Sequence, residues 1–154
     1  MKTIYESSFL ILNYYPSLNL MEIIWTPSTH AMQRAQYQSD FLTFIKYQNQ
    51  YKCEKMFIDE SQFSFKGYST LHDWLSGVLA KHAEYHAKKV AIIVNEDVLH
   101  RRSVRKMVNN ADLRKVNTKL FNNREEAKNY LLGDKTSNFK LNNNTLVSSL
   151  LSYK

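Results

Sequence analysis

Met56-Phe57-Ile58-Asp59-Glu60-Ser61 and Val90-Ala91-Ile92-Ile93-Val94-Asn95-Glu96-Asp97 are the two stretches that decide the fold. Each is a short apolar run without polar alternation, ending in acidic and amide residues. An apolar run of that length is buried on both faces, which is the signature of a central parallel strand. A helical pattern separates the two. Strand, helix, strand implies a right-handed crossover with both strands pointing the same way. Both polar clusters then fall at the carboxyl ends of the strands, where open α/β sheets bind ligands. Asp59, Glu60, Ser61, Asn95, Glu96 and Asp97 are therefore the candidate ligand- or partner-binding residues.

Outward from this pair, residues 4–13 carry strand formers, and Tyr14-Tyr15-Pro16-Ser17 reads as a turn before the strand Leu20–Trp25. That is an antiparallel hairpin. Pro27 ends it, and Ser28 or Thr29 can cap a helix over residues 30–50. In that helix Met32, Ala35, Leu42 and Ile45 form one stripe; Tyr37, Phe41, Phe44 and Tyr51 form its neighbour. The aromatic stripe is either sheet-facing core or a partly exposed self-association surface. Residues 70–88 show a regular apolar face of Leu71, Trp74, Leu75, Val78, Leu79 and His82, with Thr70 and Asp73 at capping-box spacing and Gly77 marking close packing on the sheet. A short helix over Val98–Asn110, a strand over Val116–Phe121 and a last helix stopped by Gly133 complete the pattern. The fold class is α/β: an open, mostly parallel sheet of about five strands with an N-terminal antiparallel hairpin and about four helices. Residues 1–133 form the domain. The polar stretch 134–154 places Leu146, Val147, Leu150 and Leu151 at helical spacing, as a loose tail or a short docking helix.

Composition narrows the function classes. At 44% hydrophobic residues, the 154-residue chain is globular and carries a real core. Cys53 is the only cysteine, so no intramolecular disulfide forms, and the chain reads as cytoplasmic. No stretch approaches the ~20 apolar residues of a transmembrane segment. The net charge of +7 is concentrated. Residues 1–98 hold nine Lys/Arg against ten Asp/Glu, whereas residues 99–120 hold seven against one and residues 121–154 five against three. Arg101, Arg102, Arg105 and Lys106 fall on one side of the predicted helix, with Arg114, Lys115 and Lys119 following. This basic side suits phosphate groups of a lipid, nucleotide or nucleic acid, or else is a solvated face. No nucleic-acid motif accompanies it and no aromatics interleave with the charges, so sequence-specific nucleic-acid binding is not expected.

Candidate chemistry is sparse. Asp59, Glu60, Glu96 and Asp97 could converge as paired carboxylates, for a divalent metal or acid–base work; alternatively Asp59 and Asp97 cap helices. A phospho-acceptor receiver site is excluded, because Leu12-Asn13-Tyr14 lacks the acidic pair it needs. His82 and His86 have i, i+4 spacing but no zincin glutamate between them and no evident third ligand. Lys52 and Lys55 flank Cys53 and could lower its pKa, but the expected role is a bystander at a strand entrance. With three separated glycines there is no phosphate-cradling loop, and no G-x-S-x-G elbow is present. No metal or cofactor is expected.

The hairpin ending in Ile24-Trp25-Thr26-Pro27, the Met56–Asp59 strand and the Val90–Asp97 strand, in this β-β-α-β-α-β-α-β-α order, resemble small bacterial STAS-like proteins. These are relatives of the anti-sigma-factor-antagonist fold, placed near the CRAL-TRIO lipid-transfer domains. The resemblance covers about residues 4–133. It implies an open sheet with helices mainly on one side, and a regulatory or binding role without catalysis. Such a module acts through a protein partner or self-association. The CRAL-TRIO kinship implies the alternative, a carrier or sensor of an anionic or apolar small molecule or lipid at the carboxyl end of the sheet. Antagonists of the family carry a phosphorylatable serine in an Asp-Ser-Ser-Gly turn; this chain has Asp59-Glu60-Ser61-Gln62 there, with Ser61 the nearest serine. Partner binding predicts an exposed apolar patch near the 60–68 loop. Ligand carriage predicts an enclosed apolar pocket bordered by Arg101 or Arg105.

Overall fold

The computed structural model describes residues 1–82, 84, 86–110 and 116–133. The 134–154 stretch, Arg114 and Lys115 lie outside the described residues. Among the described residues six strands form one mixed sheet in the order of the chain: β1 (Lys2–Glu6), β2 (Leu10–Tyr15), β3 (Leu20–Trp25), β4 (Lys55–Asp59), β5 (Lys89–Ile93) and β6 (Asn117–Phe121). β1, β2 and β3 pair antiparallel, and β3 to β6 pair parallel. The helices are α1 (Arg34–Tyr51), α2 (His72–His82), α3 (Val98–Asn110) and α4 (Arg124–Leu132).

Because each parallel strand is followed by its immediate neighbour in the same direction, the three crossovers stack their helices on one face, the front of the sheet. Leu10, Leu12, Met21, Ile23, Trp25, Val90 and Ile92 meet Tyr37, Phe41 and Phe44 of α1, Leu75 and Val78 of α2, and Val104 and Met107 of α3 there. α4 packs on the opposite face, where Ala127 and Leu131 join Tyr15, Leu20, Phe57, Ala91 and Ile93. Thus β4 and β5 are covered on both sides, as their unbroken apolar runs require.

The chain differs from its sequence reading at several points. Residues 4–13 are two strands. Ser7 breaks them: its Oγ accepts from the backbone N–H groups of Phe9 and Leu10, and its own N–H donates to Leu10 O, turning the chain. The long helix begins at Arg34, after one stretch of 3-10 helix over Pro27–Ala31, and Gln33 is its cap. Thr29 is buried instead, donating to Thr26 O and accepting from Ser64 N–H. On α1 the aromatic stripe is core (Tyr37, Phe41 and Phe44 are buried), while Ala35 and Leu42 are exposed. The second helix proper spans only His72–His82. Thr70 forms no capping box; its hydroxyl donates to Gly67 O within the preceding 3-10 turn. Gly77 is exposed, and a Cβ added there would meet nothing within 4 Å, so it marks no close packing. The last helix is as read: Asn123 Oδ1 accepts from Glu126 N–H at its start, and Gly133 ends it at φ 68°.

Candidate functional site

At the carboxyl ends of β4 and β5 the two polar clusters are neighbours, tied by Glu60 N–H donating to Ile93 O at 2.9 Å. Side chains alternate across a strand, so Asp59 and Glu60 go to opposite faces. Glu60 turns to the front face, where it is 6% exposed and accepts from His100 Nε2 at 3.2 Å. Phe63 and Tyr68 pack on the His100 ring, at 5.0 and 5.1 Å between centroids. Burial, reinforced by the Glu60 charge, holds the Tyr37 and Tyr68 hydroxyls well above their ordinary range, so both stay neutral.

Asp59 turns to the back face. Ser61 donates to its Oδ1 from both backbone N–H and hydroxyl, at 2.9 and 2.6 Å. Its Oδ2 accepts from Arg124, whose other arm donates to Glu22 Oε2 at 2.7 Å. Glu22 is fully buried in mid-strand and also accepts from Asn13 Nδ2 at 2.8 Å and Tyr15 Oη at 3.4 Å. The Arg124 guanidinium lies 4.7 Å from the centre of the Phe57 ring. Burial raises the Glu22 pKa, against the lowering pull of Arg124 and Asn13. Burial likewise raises that of Tyr15, helped by the Glu22 charge.

Asn95 and Asp97 are occupied by backbone. Asn95 Nδ2 donates to Phe63 O, its Oδ1 accepts from Asp97 N–H, and its carbonyl accepts from Arg101 Nε at 2.6 Å. Asp97 caps α3 by accepting from Leu99 and His100 N–H, the capping role anticipated for it. Asp59 caps no helix. Glu96 stands exposed on the rim. The four carboxylates therefore do not converge. Asp59 and Glu60 are locked into separate buried pairs, and among the described residues no group of three or more His, Cys, Asp or Glu side chains could hold a metal ion.

The first turn of α3 carries Val98 and Leu99, 63% and 69% exposed, immediately after Asp97. Arg102, Arg105 and Lys106 are exposed on the same helix, and Arg101 is half-buried against Asn95. An exposed apolar patch exists at this end, but on α3. In the 60–68 loop Phe63 and Tyr68 are buried and Phe65 is half-buried, because that loop folds back to roof the aromatic cluster around Tyr37.

Other candidates resolve simply. His86 Nε2 pairs with Glu84 at 2.9 Å, and His82 is exposed. Cys53 is fully buried just before β4, and burial pushes its pKa up to about 11, which fits the bystander reading and not a thiol activated by Lys52 and Lys55.

The Glu22–Arg124–Asp59 cluster escaped sequence reading, although two signals pointed to it. A glutamate inside Leu20-Met21-Glu22-Ile23-Ile24-Trp25 must find a partner if the strand is buried. An arginine at the first position of a helix opposes the helix dipole and needs another reason to be there.

No protein-family model, no curated protein and no solved structure matches the chain. No helix among the described residues is long and apolar enough to cross a membrane.

Proposed function

We propose that the chain is a non-enzymatic, STAS-like binding and regulatory module that acts through protein–protein contacts at the carboxyl end of its sheet. The observation that supports this reading is the exposed Val98–Leu99 pair on the first turn of α3, beside exposed Glu96 and Arg102. Large apolar side chains projecting next to charges of both signs form a patch with an apolar centre and a polar rim. The buried carboxylates of the same end, meanwhile, are engaged in holding loops and helices in place.

A native mass spectrum of the protein purified from its source tests the reading. The expected result is a complex with a second protein or a second copy that is lost in Val98→Lys with Leu99→Lys. A monomer under all conditions, or a complex indifferent to the double substitution, refutes it.

A second reading, carriage of an anionic small molecule or lipid headgroup at this end, draws on the exposed Arg102, Arg105 and Lys106. It predicts salt-sensitive anion binding.

A further inference from the structure

The back face of the sheet is covered unevenly. Among the described residues α4 is the helix on that face, and it lies over β4, β5 and β6. The front-face core takes Leu10 and Leu12 of β2 and Ile23 and Trp25 of β3. Side chains alternate across a strand, so Ile11, Asn13, Glu22 and Ile24 point to the back. Ile11 and Ile24 are cross-strand partners. They lie to one side of the strands that α4 covers, on a part of the sheet with no described helix above it.

These residues are nevertheless shielded. Ile11 and Ile24 are each 2% exposed and Asn13 is 1% exposed, within a single chain. An apolar sheet face reaches that degree of burial only under a second layer. On β1 the shielding stops: Thr3, which donates to Asn13 Oδ1, and Glu6, which pairs with Ile11, are both exposed. The covered strip is thus about two strands wide, or roughly 10 Å, the width of one helix.

The chain itself contains a segment that fits. Ala83, Tyr85 and residues 111–115 adjoin the front-face helices α2 and α3 in sequence, which leaves the 21 residues after Gly133 to supply the cover. In a helix over 145–152, Leu146, Val147, Leu150 and Leu151 fall on one stripe, with Ser148, Ser149 and Ser152 opposite. The reach suffices. Gly133 follows the last turn of α4 near the amino end of β5, where Lys89 Nζ donates to Tyr130 O. The Ile11–Ile24 pair lies three strands across and at the other end of the sheet, roughly 20 Å away. Twelve residues, 134–145, extend to about 40 Å.

We propose that residues 145–152 dock as an amphipathic helix across the back of β2 and β3, with the leucine stripe on Ile11 and Ile24. The segment then forms the missing part of the back layer beside α4 and closes the Asn13 side of the Glu22 cluster from water. The face is occupied by its own chain and is not open to a partner, so this docking is separate from the protein contacts proposed at the carboxyl end of the sheet.

Methyl NMR on the full chain with labelled isoleucine, leucine and valine tests this. The expected result is nuclear Overhauser contacts from Ile11 and Ile24 to Leu146, Val147, Leu150 or Leu151, with none from the front-face Ile23 and Ile92. In Leu146→Asp with Leu150→Asp, a soluble gadolinium chelate should broaden the Ile11 and Ile24 methyls severalfold more than in the unmodified chain and leave Ile23 and Ile92 unchanged. Three results overturn the proposal. One is the absence of those contacts. Another is contacts that arise only between differently labelled copies in a mixed sample, which gives the face to a second copy. The third is unaltered broadening in a folded double variant. If the variant fails to fold, the contacts in the unmodified chain decide the matter.

Discussion

Replacing Arg124 by methionine probes the ion cluster that holds the back of the sheet. Methionine keeps much of the volume and the contact with Phe57 but removes the charge. Glu22 and Asp59, with side chains 0% and 2% exposed, then share a buried site without their cation. Breaking a buried pair from one side costs about 3–5 kcal/mol, because a desolvated charge is left behind. Loss of the cation–ring contact adds about 0.5–1 kcal/mol. The expected destabilisation at about pH 7.5 is therefore about 4 kcal/mol, a large share of the ~5–15 kcal/mol typical of a domain.

The penalty must shrink in acid. Glu22 already has a folded-state pKa above its ordinary 4.5, and removing the guanidinium raises it further. A carboxyl group whose folded pKa lies above its unfolded one contributes stability at low pH and loses it as pH rises through that interval. One proton held by the folded variant but not by the unfolded chain is worth at most about 1.4 kcal/mol per pH unit, so the penalty at about pH 5 should be measurably smaller than at about pH 7.5. Urea denaturation of both proteins at the two pH values measures this. A further variant combining Glu22→Gln, Asp59→Asn and Arg124→Met should recover to within about 1–2 kcal/mol of the original chain. A loss below about 1 kcal/mol for Arg124→Met at neutral pH, or a penalty that grows in acid, would refute the argument that charge desolvation dominates this site.

Gly77→Ala should stabilise the protein by about 1 kcal/mol in urea melts, since the helix gains propensity and the new methyl meets no neighbour. Trp25→Ala should cost about 3–5 kcal/mol and Trp74→Ala clearly less, because Trp25 is 3% exposed and stacks on Tyr37 while Trp74 is only half-buried; equal losses would mean the core centre is misplaced. Cys53 should resist alkylation in the native state and react only on unfolding, since it is fully buried with its pKa pushed up to about 11; rapid native labelling contradicts this. Arg102→Glu with Arg105→Glu should remove any low-salt binding to anionic vesicles and leave the melting temperature nearly unchanged, because both side chains are exposed; retained binding places anion affinity elsewhere.

How much of this was legible beforehand differs by level. The apolar runs at Met56–Ile58 and Val90–Val94 declared buried parallel strands, since hydrophobic period is a local property that survives without tertiary information. Helix α3 over Val98–Asn110 and the Gly133 stop of α4 were equally readable. So were the locations of Asp59–Ser61 and Asn95–Asp97 at adjacent strand ends. What tertiary structure alone decided is which way those groups face and whom they meet. Asp59 and Glu60 are consecutive in sequence, yet the strand pleat sends one to Arg124, 65 residues away, and the other to His100, 40 residues away. Ion pairing depends on distance in space, and nothing local in the chain encodes that Glu22 on β3 and Asp59 on β4 will share one guanidinium. The same holds for Gln48, which reads as an ordinary polar residue near the end of a helix; only the packing of three helices on one face of the sheet leaves its Oε1 buried with no hydrogen-bond partner among the described residues.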